Sequence, residues 1–135
     1  MSKFQVGDSK TIEVQITDAM VRDFAKLTGD FNPIHLDDAF AATTRFKRRI
    51  AHGMIAAGLI SRAIATELPG AGAVYLGQTL KFTAPVFIDE VITIELKVKA
   101  IREEKNILTL DTICRRKSDG STVLEGEATV LAPRN

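Results

Sequence analysis

Disulfide bonds within the chain are excluded, because Cys114 is the only cysteine among its 135 residues. This cysteine usage fits the reducing cytoplasm, although a secreted protein without disulfides would have the same composition. The first residues also contain no apolar segment of the kind that signal peptides carry. We therefore predict a cytoplasmic protein.

A long hydrophobic run is missing as well. The longest apolar stretch, residues 50–65, is interrupted by His52 and Arg62, so it is too short and too polar to span a bilayer. Charge of one sign is not in excess either, since 18 basic residues stand against 17 acidic ones. Neither nucleic acid nor an anionic membrane is therefore predicted as a partner.

What remains is the composition of an ordinary soluble protein, with 45% hydrophobic and 26% charged residues. A length of 135 residues is close to the most common domain size. The sequence contains no low-complexity tract and no internal repeat. We predict a single domain over residues 1–135.

The first part of the chain has the periodicity of a strand followed by a helix. Alternating apolar residues predict a strand over residues 11–16. Thr17 is a typical helix N-cap, and Gly29 is typical of the position just after a helix. The apolar stripe of this helix consists of Met20, Val21, Phe24, Ala25 and Leu27.

The segment over residues 54–68 is the most hydrophobic helix predicted in the chain. It is apolar nearly all round, which indicates a helix buried on most sides. Pro69 and Gly70 follow it and would end it.

The second half of the chain alternates between apolar and polar residues in four segments, which predicts four antiparallel strands. Polar segments at residues 103–106 and 118–121 are typical of hairpin turns. The apolar face of such a sheet needs a cover, and the helix over residues 54–68 is hydrophobic enough to provide it. We predict an α+β fold in which a curved antiparallel sheet wraps around this long central helix. The residues on the more apolar face of each strand are predicted to be Val74, Leu76, Gln78, Leu80 and Phe82; Ile92, Ile94, Leu96 and Val98; Leu108, Leu110 and Cys114; and Leu124, Gly126, Ala128 and Val130.

A loop after the first predicted helix places a carboxylate close to an imidazole, in the sequence Gly29-Asp30-Phe31-Asn32-Pro33-Ile34-His35-Leu36-Asp37. Histidine can act as a general base near neutral pH, and a partly buried carboxylate can do the same or can orient a water. Asp30 and His35 are five residues apart on a bend that Pro33 stiffens. They could therefore hold one water between them.

A purely structural role for this loop is the alternative. Asp30 or Asn32 could build an Asx turn, in which the side chain binds the backbone two residues later. Asn32 cannot titrate, so it would tie down the loop backbone or contact a neighbouring chain. Asp37 is expected to cap a brief helix over residues 38–43.

A second short motif, Ala51-His52-Gly53-Met54, stands at the start of the hydrophobic helix. The first N–H groups of a helix have no acceptor within it and carry the positive end of the helix dipole. Glycine lets a ligand approach closely, so the Gly53 N–H could stabilise a thioester carbonyl that gains negative charge. Alternatively, Gly53 only relieves crowding. His52 fits a capping or hydrogen-bonded interior histidine better than a direct catalyst, which gives it a supporting role.

Two further features have open interpretations. Ser61 lies two turns past Gly53, where it could brace the catalytic pair or bind the carbonyl one turn earlier in its own helix. Lys47, Arg48 and Arg49 form a basic run. This run is either a solvated loop or a contact with the phosphates of a carrier such as coenzyme A.

Taken together, the two motifs resemble the signature of the MaoC-like hydratases, and within them the single-domain (R)-specific enoyl-CoA hydratases. The resemblance begins at residues 29–37 and includes Phe40-Ala41 and residues 49–54. It continues through Leu76-Gly77-Gln78 to residues 81–86 and covers nearly the whole chain.

The resemblance implies a hot-dog fold, a homodimer and an acyl-CoA thioester substrate. Water would add in syn fashion across a trans-2-enoyl-CoA to give the (R)-3-hydroxyacyl-CoA, and the reverse dehydration would occur as well. Asp30 and His35 would be the catalytic pair, and the Gly53 N–H would polarise the thioester carbonyl. Ser61 and Asn32 would support the site. No metal, nicotinamide or flavin is implied, so no cofactor is expected.

Three other functions remain open. The same fold and a similar motif serve the dehydration of 3-hydroxyacyl-ACP in fatty acid synthesis. A hot-dog thioesterase fits less well, because its carboxylate usually comes from the central helix and residues 54–65 contain no acid. A non-catalytic module would bind acyl thioesters without turnover. Polyhydroxyalkanoate precursor supply, β-oxidation and a biosynthetic dehydratase step would all use the hydratase chemistry.

Overall fold

The secondary structure consists of helices in the first half of the chain and strands in the second, with one strand placed at the start. The structure is a computed structural model that describes residues 3–134. A 3-10 turn, Glu103–Lys105, connects the fourth and fifth strands. The elements in chain order are β1 (Ser9–Gln15), α1 (Asp18–Thr28), α2 (Pro33–Leu36), α3 (Asp38–Ala42), α4 (Gly53–Thr66), β2 (Val74–Gln78), β3 (Lys81–Phe82), β4 (Val91–Arg102), β5 (Ile107–Arg116) and β6 (Thr122–Leu131).

All strands belong to one antiparallel sheet with the order β1-β4-β5-β6-β2, and β3 also pairs with β6. Helix α4 contacts β1, β4 and β6. Because β1 and β6 are three strand spacings apart, about 14 Å, a helix about 10 Å wide contacts both only if the sheet curves around it. The predicted α+β hot-dog fold is therefore confirmed.

The core lies between α4 and the concave face of the sheet. The alternation predicted for the three long strands is confirmed, because their apolar positions are almost completely buried. Facing residues from neighbouring strands stack across the sheet, as Ile94 does opposite Cys114 and Leu110 opposite Ala128. The most deeply buried strand residues are Ile92, Ile94, Leu96, Val98, Leu108, Leu110, Cys114, Leu124, Ala128 and Val130.

Helix α1 has the boundaries that its capping residues predict. The Thr17 hydroxyl accepts a hydrogen bond from the Met20 N–H at 3.2 Å, and Gly29 ends the helix with a positive φ of 81°. Val21 is fully buried. Leu27, however, is 83% exposed, so the predicted apolar stripe is one residue too wide.

The strand predicted from Val74 to Phe82 is wrong in two respects. It is divided into β2 and β3, and β2 contains a bulge between Tyr75 and Gly77 that changes which side chains face the core. Before the bulge, Tyr75 lies opposite the buried Val130 and packs against the core, so Val74 is about half exposed. Leu76 and Phe82 are about half exposed as well.

A buried polar network accompanies this break in the strand. The Gln78 amide donates to the Thr112 hydroxyl at 3.0 Å, and this hydroxyl donates to the Gly126 carbonyl at 3.0 Å. The Tyr75 hydroxyl donates to the Gln78 side-chain oxygen. A Cβ atom on Gly126 would lie 1.9 Å from the Thr79 carbonyl oxygen, so the chain can cross here only over a glycine.

Helix α4 is buried on one side only within a single chain. Ile55, Ile60 and Ile64 face the sheet. The prediction of a helix buried on most sides is therefore not met by one chain alone. Within residues 3–134, no helix is long and apolar enough to cross a membrane. The opposite face of α4 is exposed. It carries Met54, the small residues Gly58, Ser61 and Ala65, and the charged Arg62.

Candidate active site

The loop between α1 and α2 is shaped by hydrogen bonds from its own side chains. The Asp30 carboxylate accepts a bond from the Asn32 N–H at 3.2 Å, and the Asn32 side-chain oxygen accepts one from the Ile34 N–H at 3.2 Å. Asn32 thereby caps α2, with Pro33 at its first position. The turn-forming interpretation of both residues is correct, and Asn32 ties down the backbone as expected. The short helix α2 itself was not predicted, since four residues are too few to show helical periodicity.

His35 projects from α2 into the interior and is about 91% buried. Its Nδ1–H donates to the Ile50 carbonyl oxygen at 2.7 Å. Because a carbonyl can only accept, this bond places the proton of the neutral ring on Nδ1 and leaves a lone pair on Nε2. Burial lowers the pKa of the His35 imidazole below its ordinary value of 6.5, and the bond to Ile50 opposes this effect.

His52 lies directly against His35, with the two ring centroids 3.9 Å apart. Its Nε2–H donates to the Asp30 backbone carbonyl at 3.0 Å. The Nδ1 atom is buried, and no residue within 3–134 provides it with a hydrogen-bond partner. The prediction of a hydrogen-bonded interior histidine is confirmed, whereas the capping alternative is wrong, since His52 makes no side-chain bond to α4.

Asp30, His35 and His52 form one cluster, in which one oxygen or nitrogen atom from each lies within 4.8 Å of the others. The fold thus brings together the predicted pair and adds a second imidazole. A carboxylate and two neutral imidazoles can ligate a transition metal, and the same lone pairs can accept hydrogen bonds from a water. The absence of a metal therefore stays a prediction.

The N-terminus of α4 lies beside this cluster, because Gly53 is the first residue of the helix and follows His52 directly. Within the described part of the chain, no group accepts a hydrogen bond from the Gly53 N–H. The Phe82 ring covers Gly53 so closely that a Cβ atom there would lie 2.7 Å from it. Phe82 was predicted to face the core, and its place over Gly53 has no signal in the sequence.

A cavity of about 410 Å³ opens next to Gly53. His35, His52 and Gly53 line it. Asp30 does not line the cavity, but it clusters with the two histidines that do. The deeply buried lining residues form an apolar floor: Ile16, Ile92, Val123 and Leu124. The exposed lining residues form the rim: Arg45, Gly53, Met54, Phe82 and Thr83.

Neither interpretation of the basic run Lys47, Arg48 and Arg49 is correct for Arg49. Its side chain is 9% exposed, so it is neither a solvated loop residue nor a phosphate contact. The Arg49 Nε–H donates to the His35 carbonyl at 2.7 Å, and the guanidinium also pairs with Asp18 on α1. This bond lowers the pKa of the Asp18 carboxyl. The pairing spans 31 positions, which is why no local pattern predicted it.

Ser61 lies outside the site in a single chain. It is exposed on the outer face of α4 and does not line the cavity. Within residues 3–134 it bonds neither to the catalytic pair nor to the carbonyl one turn earlier. A supporting role would therefore require a surface that only a second chain could supply.

The sequence and the fold match one known family of proteins. Residues 5–117 match the MaoC-like domain family, so the chain belongs to that family, and the predicted resemblance is confirmed. The chain is 46% identical over 129 residues to the (R)-specific enoyl-CoA hydratase of Aeromonas caviae, with 96% of each chain covered.

A solved structure and a more distant relative extend this comparison. The (R)-hydratase from A. caviae involved in PHA biosynthesis superposes with a TM-score of 0.95 at 44% identity, over 98% of this chain and 100% of that one. The chain is also 41% identical over 112 residues to a mitochondrial 3-hydroxyacyl-[acyl-carrier-protein] dehydratase of Solanum lycopersicum, covering 82% of this chain and 66% of that one.

Proposed function

We propose that the protein is an (R)-specific enoyl-CoA hydratase, which adds water to trans-2-enoyl-CoA and catalyses the reverse dehydration. The observation that carries this proposal is that His35, which clusters with Asp30, lines the same cavity as the free helix N-terminus at Gly53. The similarity to a hydratase over nearly the full length of both chains supports it.

The proposed reaction begins when the thioester carbonyl accepts a hydrogen bond from the Gly53 N–H. This bond stabilises the negative charge that builds up on the carbonyl oxygen and makes C3 of the enoyl group electrophilic. Asp30 and His35 hold a water, and one of them removes its proton as the oxygen attacks C3. The Nε2 lone pair of His35 is suited to this step, because its other nitrogen already donates to Ile50. A proton then reaches C2 on the same face.

Two substitutions test this assignment. Asp30→Asn and His35→Ala should each slow the hydration of crotonyl-CoA by about 10²-fold or more, which is the usual contribution of a positioned acid or base. Loss of the enoyl absorbance measures the rate, and chiral analysis of the product tests for the (R) configuration. Asp38→Asn is the matched control, because Asp38 is an exposed first-turn acid of α3. Near-wild-type rates in a folded Asp30 or His35 variant would contradict the assignment.

An acyl carrier protein thioester is the alternative substrate, and the relationship to the Solanum dehydratase favours testing it. The wild-type enzyme should prefer crotonyl-CoA to crotonyl-ACP by kcat/KM. A strong preference for crotonyl-ACP would instead indicate the dehydratase of fatty acid synthesis. Tight binding of both thioesters without turnover would identify a non-catalytic binding module.

We further propose a cytoplasmic homodimer, as the family resemblance implies. Two exposed surfaces support the dimer, namely the outer face of α4, where most side chains are small, and the apolar edge strand β2. Because β2 is the last strand of the sheet and exposes Val74 and Leu76, a second copy could pair with it and continue the sheet. The same arrangement would cover Ser61. The single buried cysteine is compatible with a reducing compartment.

A further inference from the structure

We infer that Arg45, assisted by Lys47 and Arg48, binds the phosphate groups of coenzyme A at the mouth of the cavity. This inference rests on the proposed hydratase function, since it concerns the carrier half of the same substrate. Arg49 does not take part in this contact, because it is buried and paired with Asp18.

Within residues 3–134, Arg45 is the only lysine or arginine that lines the cavity, and it lies on the exposed rim. Its guanidinium stands 4.9 Å from the centre of the Phe46 ring, which also lines the cavity. Within residues 3–134, Arg45 forms no ion pair with an acid. An aromatic ring on one face leaves the N–H groups at the guanidinium edge available for an anion.

The charge around Arg45 is unbalanced. Residues 43–49 contain four cations and no acid, and only Arg49 has an acidic partner in the described part of the chain. Lys47 is exposed, and Arg48 is held 3.8 Å above the Phe87 ring. Three exposed cations are thus concentrated in one short segment, although the whole protein carries a net charge of only +1.

The orientation of the bound thioester would bring its carrier arm towards residues 43–49. A thioester carbonyl at the Gly53 N–H would place the acyl chain on the apolar floor, so the carrier arm must leave across the rim. Arg45 is the rim residue with the chemistry to meet a phosphate, because a guanidinium forms paired, charge-assisted hydrogen bonds with phosphate oxygens. Lys47 and Arg48 would add attraction that depends on ionic strength.

The experiment compares two thioesters that differ only in the carrier. Crotonyl-CoA carries the phosphates, whereas crotonyl-pantetheine has the same reacting end and arm without them. Arg45→Gln should raise KM for crotonyl-CoA about five- to tenfold at low ionic strength, with kcat unchanged, as expected for loss of one charge-assisted phosphate contact. KM for crotonyl-pantetheine should not change, and the difference should shrink as salt is added.

Two further variants and one further substrate complete the design. Arg45→Lys keeps the charge and should restore part of the affinity. Arg102→Gln is the matched control, because Arg102 is an exposed arginine at the end of β4 that does not line the cavity. Crotonyl-ACP distinguishes the free coenzyme from the phosphopantetheine of a carrier protein.

The inference is wrong if Arg45→Gln changes KM for both thioesters equally, changes neither, or affects only crotonyl-ACP. Failure of the proposed function would be a different result, because the wild-type enzyme would then hydrate neither crotonyl-CoA nor crotonyl-pantetheine.

Discussion

The two imidazoles of the site obtain their orientation from the backbone. His35 donates to the Ile50 carbonyl and His52 to the Asp30 carbonyl, so each neutral ring has its lone pair on a defined nitrogen. Arg49 adds a third backbone anchor by binding the carbonyl of His35 itself. The orientation of the proposed base therefore depends on main-chain carbonyls and on the Arg49 side chain.

The protonation of His35 provides a test at this scale. Burial lowers its pKa below 6.5, so the imidazole should remain neutral at pH 7 and gain a proton only in more acidic solution. An NMR titration of the two histidine rings, assigned with His35→Ala, should give a midpoint below 6.5 for His35. Because the folded pKa is lower than the unfolded one, the free energy of unfolding should fall as pH decreases from 6.5 through the folded pKa. A midpoint at or above 6.5 would show that the bond to Ile50 and the charge of Asp30 outweigh burial, and it would contradict the prediction.

Two roles at the residue scale could be predicted from the sequence, because local chemistry determines them. Asp37 caps α3 through the Phe40 N–H at 3.1 Å, as its position before the helix predicts. Asn32 anchors the loop as expected. Arg49 and Phe82 could not be assigned, because their contacts with His35 and Gly53 depend on elements distant in sequence.

At the scale of elements, the sheet is irregular where the chain passes from β2 to β3. After β2 the chain passes over β6 at Gly126, where the Thr79 carbonyl occupies the space that a side chain would need. Gln78 turns inward at the same point and reaches Thr112 on β5. This crossing replaces the regular alternation that the sequence from Val74 to Phe82 predicts.

Substitution of Gly126 tests the crossing. Gly126→Ala would place a Cβ atom 1.9 Å from backbone oxygen, so it should destabilise the protein by about 3 kcal/mol, the upper part of the usual range for overpacking. Gly77→Ala is the matched control, since a Cβ atom there meets nothing within 4 Å, and its effect should stay within about 0.5 kcal/mol. Urea unfolding measures both values. Similar stabilities for the two variants would show that the sheet accommodates the methyl group by moving.

The regular elements were predictable because each buries one face over many residues. The strands β4, β5 and β6 repeat their apolar residues at the expected period, and burial largely follows that period. Helix α4 was recognised by its overall hydrophobicity, although only one of its faces is buried in a single chain. The segment from β2 to β3 was not predictable. Its apolar and polar side chains alternate as in a regular strand. Its path, however, is determined by the bulge and by the hydrogen bond of Gln78 to Thr112.

At the scale of the whole molecule, the surface of one chain includes two regions that a second copy could cover. One is the outer face of α4 with its small residues and Met54, and the other is the edge of the sheet at Val74 and Leu76. An edge strand with unpaired backbone groups and apolar side chains is a template for another strand. Both surfaces agree with the proposed homodimer.

Light scattering coupled to size-exclusion chromatography tests the dimer. The wild-type protein should have a mass of twice the 14.7 kDa of one chain. Leu76→Lys places a charge on the exposed edge strand and should shift the mass towards that of the single chain. Leu27→Lys serves as the control, because Leu27 is 83% exposed on α1 and should leave the mass unchanged. A wild-type mass of one chain would contradict the proposal.

The floor of the cavity has a consequence for the range of substrates. Ile16, Ile92 and Leu124 line the cavity and also belong to the core that joins α4 to the sheet. Widening the pocket by Ile92→Ala would remove core packing worth about 2–5 kcal/mol, against a total stability of about 5–15 kcal/mol for a typical domain. Substitutions at the floor that admit bulkier acyl chains would therefore lower the stability of the protein. Substitution is much less constrained at the half-exposed rim residues Met54 and Phe82, where it leaves the core intact.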